Sequence, residues 1–444
     1  MTFIKTLRRS SKRLSVLLGI TGLLVMISLA PAAESTNAPQ KKNLDNGLVV
    51  IYQKDTASGV TVLNFLVGGG QKAEPAGLDG LAYIATRLAI EIPDRDKVQE
   101  LMVKASRYSL ASQGDYSMIQ IECLSENFED TLKIFAEIMM DPLFSGLRIN
   151  YVKENMAHQQ KIQSDDSVNV GHLAQLEALF GKAGYGRSFC GTEESLKKIK
   201  GKDIENFYKQ HFLADRMVCA VVSDLELERV LGILKKYYAK LPSTGVASAP
   251  DSPSPAGSQG APKEAYIEKD TKQCLVSFAF PLPPTSTKNF IMNYLLENLL
   301  GKGPGSRLWG LRSQGKLAYN VNAQATQMKD GGVLEAYLET EAAKRDGASK
   351  ALNKILTELF EKGLTEEELQ TAKVSAKAQF LRLNETKDKR ASTFAIFEAL
   401  GLGFDFITKF PQDVENVTLA DMHAHIKNIL PPEKASLVIV GPKR

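Results

Sequence analysis

The chain has 444 residues, 24% of them charged and 43% hydrophobic, which is an ordinary globular composition. Five of its 55 Lys and Arg residues precede position 33, where no Asp or Glu falls, leaving 50 against 51 and a net charge of about −1 downstream. No Lys/Arg stripe interleaved with aromatics follows, which excludes nucleic acid and anionic lipid as partners, and roughly 410 residues are too many for one core and suit two domains of about 200 each.

At the N-terminus Lys5, Arg8, Arg9, Lys12 and Arg13 precede an apolar run from Leu14 to Ala30 and the small-residue stretch Ala30-Pro31-Ala32. This is the pattern of a bacterial-type export signal over residues 1–32. The apolar run is close to the lower limit of a membrane span, so an uncleaved anchor is the alternative. Cleavage at the Ala-x-Ala site gives a soluble, exported chain with no membrane contact, expected in the periplasm.

The first half, Asn43–Pro242, opens with a strand-like run at Val60–Val67 (VTVLNFLV) and then turns helical, with apolar residues at three-to-four spacing in Asp94–Ser106, Asn127–Met140, Tyr151–Ser164 and Asp203–His211. It closes with the β-branched run Met217–Val222. From Ser243 to Pro262 the sequence STGVASAPDSPSPAGSQGAP lacks nearly all large apolar residues and reads as a linker. The second half, Lys263–Arg444, follows the same plan: a strand at Cys274–Phe280, helices at Ser286–Leu300, Ala343–Lys362, Thr365–Leu383 and Leu419–Leu430, and a closing strand at Ala435–Val440. Strands mixed with long helices, repeated, predict an α+β fold of two homologous sandwich domains, each a mainly antiparallel sheet covered by helices on one face, joined by a flexible linker. Cys123, Cys190, Cys219 and Cys274 lie far apart without a Cys-x-x-Cys pair, and three sit in apolar strand-like runs, so buried free thiols are expected, with one disulfide as the alternative.

Gly77–Ala89 reads GLDGLAYIATRLA, preceded by a strand ending in Gly68-Gly69-Gly70 and by Glu74-Pro75. Here the sequence resembles the insulinase/pitrilysin family of zinc peptidases, in which such a strand and acidic-Pro pair lead into a helix bearing the inverted zinc motif His-x-x-Glu-His. The matching positions are Tyr83, Thr86 and Arg87. Protonated hydroxyls are poor zinc ligands. A unit positive charge about 4 Å from a dication is repelled by roughly 8 kcal/mol at an effective dielectric of about 20, so this chain is expected to hold no metal. The family's third ligand, a glutamate on a later helix, aligns with Gln159, ahead of Asp165-Asp166. Glu154 and His158 are spaced i, i+4 on that helix and read as a solvated pair. His423 and His425 point apart on a helix and are expected to be exposed.

Gly184–Phe212 resembles the family's Tyr-Gly…Gly-Thr-x-x-Ser-Leu segment. Its residues read as a turn at Cys190-Gly191-Thr192, a helix capped by Thr192 with Ser195 three residues on, and an amphipathic helix carrying Phe207 and Tyr208. Gly301–Gln324 (GKGPGSRLWGLRSQGKLAYNVNAQ) resembles the second-domain segment whose Arg/Tyr pair lies opposite the zinc and donates hydrogen bonds to the carbonyl under attack. Arg312 and Tyr319 have that spacing. Such fixed donors in a dry cavity each contribute ~100- to 1000-fold in rate. Gly301–Gly305 lacks P-loop spacing and reads as a flexible turn, and no Gly-x-Ser-x-Gly is present.

The resemblance implies a chain that has lost zinc and kept the Arg/Tyr pair. It would be the second subunit of a heterodimeric metalloendopeptidase, with zinc and general base supplied by a zinc-bearing partner of the same family. Its peptide substrate would bind as an added strand along an edge such as Val60–Val67. The alternative is a non-catalytic scaffold or peptide-binding subunit.

Overall fold

The computed structural model describes residues 38–244 and 264–443, so the export-signal pattern and most of the expected linker lie outside the described residues. The first half runs β1 (Gln40–Asn43), β2 (Val49–Lys54), β3 (Val60–Gly68), α1 (Leu81–Ala89), α2 (Arg95–Val103), β4 (Arg107–Ser112), β5 (Tyr116–Leu124), α3 (Phe128–Met140), α4 (Gly146–Asp165), α5 (Ser167–Phe180), α6 (Glu193–Lys198), α7 (Gly201–His211), β6 (Met217–Ser223) and α8 (Leu227–Tyr238). The second runs β7 (Glu264–Glu268), β8 (Gln273–Leu282), α9 (Thr287–Gly301), α10 (Trp309–Ser313), β9 (Asn320–Met328), β10 (Gly331–Glu341), α11 (Arg345–Lys362), α12 (Glu366–Leu383), α13 (Lys387–Ala399), α14 (Phe406–Glu415), α15 (Leu419–Ile429) and β11 (Ser436–Gly441). The expected strands and helices all appear, with ends displaced by a few residues. The α+β class holds.

The strands of each half form one sheet, ordered β1-β2-β6-β3-β5-β4 and β7-β11-β8-β10-β9. Apart from β1 the two orders superimpose, and each contains one parallel pair, β2 with β6 and β7 with β11, among antiparallel neighbours. The repeat read from the strand–helix–strand plan is therefore a repeat of topology.

The Val60–Val67 run, expected to offer an edge, lies instead in the centre of the first sheet. β3 pairs with β5 on one side (Val60↔Leu124) and β6 on the other (Val62↔Val222). Its seven successive buried positions, Thr61 and Asn64 among them, are the signature of a strand covered on both faces. The outer strands nearest the helical segments are β4 and β9.

Helices cover each sheet on more than the one expected face. Each half's own helices pack on one side, while a single helix from the other half crosses to the opposite side: α5 lies on β8 and β11, and α13 on β3 and β6. Gly171 permits the close approach of α5, since a Cβ there would lie 2.3 Å from Leu275 Cδ2. Gln175 Nε2 then donates to Ser277 O at 2.8 Å. In the reciprocal contact the buried Lys387 Nζ donates to Asp55 O at 2.7 Å and to Ser58 O and Val60 O at 2.8 Å.

The second half's core is aromatic, with Phe380 stacked on Phe410 at 3.8 Å and Phe290 edge-on to Phe397 and Phe406. α15 packs into it. His425 is buried there, its Nε2 2.7 Å from Asn293 Oδ1, and His423 sits half-buried beside Leu364, so the expectation of exposure fails for both. They do point to different partners, as i, i+2 spacing requires. All four cysteines are buried free thiols.

Candidate functional site

The helix that carries the degenerate motif begins at Gly80, which has φ of +93° and no capping side chain of its own. Glu74 supplies the missing acceptor: its Oε1 takes hydrogen bonds from Gly80 N at 3.1 Å and Ala82 N at 2.9 Å. A carboxyl here satisfies free N–H groups at a positive helix end. Burial nonetheless pushes the Glu74 carboxyl up to about 8, against the pull of those two donors and of Arg187.

Arg187, also buried, ties the segment together. Its Nη1 donates to Glu74 O at 2.5 Å and its Nε lies 3.1 Å from Asp79 Oδ1. The Cys190-Gly191-Thr192 turn packs on the same loop, where a Cβ at Gly191 would come within 2.1 Å of Asp79 O. Thr192 and Ser195 form the expected reciprocal cap, and Ser195 Oγ also donates to Asp79 O at 2.8 Å. Phe207 of α7 is buried and Tyr208 partly so, as the amphipathic pattern requires.

On α1 itself the three motif positions have been turned to other uses. Thr86 is 1% exposed and its hydroxyl donates back to Ala82 O at 2.8 Å, so its oxygen is not presented to a ligand. Arg87 bridges to Glu91 at 2.7 Å and lies over the Tyr108 ring of β4, 5.9 Å from its centre. Glu91 also accepts from Arg148 of α4 at 3.0 Å. Tyr83 packs against Phe189 at 5.5 Å. The donor set does not fit zinc: two protonated hydroxyls and a guanidinium stand where imidazoles and a carboxylate are needed. Among the described residues no group of three His, Cys, Asp or Glu side chains could hold a metal.

On α4, Glu154, His158 and Gln159 are all exposed. The inward-turned neighbour is Gln160, which donates to Cys190 O at 2.8 Å beside Phe189 and hence beside Tyr83.

Arg312 and Tyr319 stand apart from all of this. Arg312 is exposed on the short α10, its guanidinium 5.0 Å from the Trp309 ring centre. Tyr319 is 52% exposed, extends β9 through a bond from its N to Glu339 O, and donates its hydroxyl to Glu341 at 2.5 Å. The far end of β9, at Thr326–Met328, lines a cavity of about 300 Å³ between the two halves. Seven residue steps of strand separate Thr326 at the cavity from Tyr319, about 24 Å at ~3.4 Å each. The pair is thus brought neither to the cavity nor to α1 within this chain.

Comparison with known proteins agrees with this arrangement. The sequence profile of the insulinase family (peptidase family M16) matches residues 49–193, and that of the peptidase M16 inactive domain matches residues 198–375. The chain belongs to the insulinase family. Among its family relatives, the "non-peptidase homolog YmxG" of Helicobacter pylori is 24% identical, covering 89% of this chain and 92% of the relative. The "zinc protease PqqE" of the same organism is 22% identical over 85% and 88%. A solved peptidase M16 inactive domain from Pseudomonas fluorescens superimposes with a TM-score of 0.82 at 21% identity, covering 91% of this insulinase-family chain and 98% of that one. Those names span peptidases and non-peptidases, so the chain's own residues decide: it is an insulinase-family member without the zinc motif.

Sequence reasoning passed over Gln71, His172 and Arg187, which line the inter-half cavity, and Glu335, which holds His172. Arg187 lies inside the Gly184–Phe212 segment, but nothing local marks His172, because its partner Glu335 is 163 residues away.

Proposed function

We propose that this chain is the zinc-less subunit of an exported, periplasmic two-chain peptidase, presenting Arg312 and Tyr319 to a peptide carbonyl in a chamber shared with a zinc-bearing subunit of the same family. The observation that carries the reading is exposure. Both side chains face solvent at one end of an edge strand, away from α1, where only a second chain can bring a metal to them. The family resemblance gives the pair its carbonyl-binding role, and the partner supplies zinc and general base. A peptide cannot add along β3, which is paired on both sides.

The test is reconstitution with a zinc-bearing family member from the same genome and a quenched peptide substrate. Arg312→Ala and Tyr319→Phe should each lower turnover of the mixture by about 100-fold, the usual effect of losing one carbonyl-stabilising donor, with complex formation intact. Unchanged turnover in both would remove the catalytic reading.

A specific observation favours the second reading, a non-catalytic scaffold or peptide-binding subunit. The Tyr319 hydroxyl is already engaged by Glu341, and a family relative carries the name of a non-peptidase. A stable complex whose activity is indifferent to this chain would establish it.

A further inference from the structure

The cavity between the halves is lined by polar groups that the peptidase reading leaves unused. Gln71 is 8% exposed, borders the cavity, and its carboxamide makes no hydrogen bond to any described residue. His172 of α5 reaches across to Glu335 of β10 through Nδ1, which leaves Nε2 without a protein partner at the cavity wall. Arg187 spends Nη1 and Nε on the Glu74–Asp79 loop, and its Nη2 makes no hydrogen bond to the described residues.

Arg187 Nη2 is a donor, the Gln71 carboxamide offers N–H donors beside its acceptor oxygen, and His172 Nε2 donates in the imidazolium form that the Glu335 carboxylate favours against the opposing effect of burial. The one carboxylate in the lining, Asp115, is already occupied by Tyr185 Oη at 2.5 Å and Lys329 N at 2.9 Å, so no free carboxylate faces the cavity. Leu173, Leu176 and Phe189 form an apolar stretch of the wall, and the neutral amides of Gln113, Gln163 and Gln327 line other parts of it. A volume of about 300 Å³ stands at the small end of ligand cavities, enough for the last residue or two of a chain.

We infer that this cavity is a carboxylate-recognition pocket that takes the C-terminal end of a peptide, with Gln71, His172 and Arg187 meeting the carboxylate and the apolar wall holding the terminal side chain. Capture of a chain end by converging donors is a recurrent mode of peptide recognition. That the ligand is a peptide rests on the reading above; that it is a carboxylate rests on the donors alone.

The experiment is calorimetric titration of the mature chain, without any partner, with an N-acetylated Gly-Ala-Leu tripeptide as the free acid and as the C-terminal amide. The two ligands have the same shape and differ in one charge. The free acid should bind at least about tenfold more tightly, since hydrogen bonds to a charged group are worth about 1.5–3 kcal/mol. Gln71→Leu and, separately, His172→Gln should each weaken the free acid by about tenfold and leave the amide unchanged. Equal affinity for acid and amide, no binding of the acid at millimolar concentration, or variants that bind the acid as the parent does would each overturn the proposal. Because the readout is binding to the isolated chain, it fails or survives independently of turnover in the two-chain mixture.

Discussion

Glu74 is a carboxyl asked to do a neutral acceptor's work. It takes two N–H bonds at the start of α1 inside a buried loop, and burial holds it up at about 8, so at neutral pH it is largely protonated in the folded chain and ionised in the unfolded one. The sign follows from linkage: between its ordinary value and about 8 the folded state binds the extra proton, and the contribution falls as pH rises through that window. Glu74→Gln, neutral and able to accept the same bonds, should therefore change the midpoint of urea unfolding at pH 7 little or raise it. Glu74→Ala should cost about 2–4 kcal/mol, because it strands the Gly80 and Ala82 donors. The sequence made part of this legible. Glu74-Pro75 stood out as the lead-in to the motif helix, and the replacement of the zinc donors was read from Tyr83, Thr86 and Arg87 alone. Gln71, three residues earlier, carried no signal, because an unpaired amide is a property of its surroundings and not of its neighbours in the chain.

At the scale of elements, α13 and α15 test how helices are held. Lys387 at the first turn of α13 donates to three carbonyls of the β2–β3 loop, and Arg390 pairs with Asp55. Lys387→Met keeps the stem and removes the donors; it should destabilise the chain by about 2–4 kcal/mol in denaturant unfolding, the range for breaking a buried charged contact. His425 on α15 carries a pH signature. Burial, with the nearby charge of Lys288 in support, pushes it down from the ordinary imidazole value to about 4. Its contribution is complete above about 6.5 and is lost as pH falls toward about 4, at roughly 1.4 kcal/mol per pH unit. His425→Asn should flatten that part of the stability profile, and a slope identical to the parent's would show that His425 is not buried neutral. Long helices such as α9, α11 and α12 were readable in the sequence, and α12 proves to be capped reciprocally by Thr365 and Glu368. α5 and α13 were not, because each packs on a sheet of the other half and its pattern answers to a distant surface. The same blindness placed Val60–Val67 at an edge: its Thr61 and Asn64 break the apolar run, and only the pairing partners on both sides show that the strand is central.

In the whole molecule the crossed helices bear on what the segment between the halves is for. The composition of Ser243–Pro262 suggested two domains on a flexible tether. Each half instead contributes a helix to the other's sheet, with Gln175 bonded to Ser277 and Lys387 to the β2–β3 loop, so the halves are joined by buried contacts that do not depend on the connecting segment. One wall of the inter-half cavity is built by this exchange, since His172 rides on α5 and bonds to Glu335 on the sheet beneath it. A protease site introduced between residues 250 and 257 and cut under native conditions should leave a nicked chain that elutes at the size of the intact one and unfolds in a single transition. Two bodies separating on the column, or two resolved transitions, would mean that the helices exchange only weakly and that the cavity opens with the hinge. The nicked chain also carries the pocket proposal one step further. If the pocket is built by the crossed helices, the cut should leave free-acid peptide affinity unchanged, whereas a pocket that needs the tether to align its walls should lose it in the same experiment.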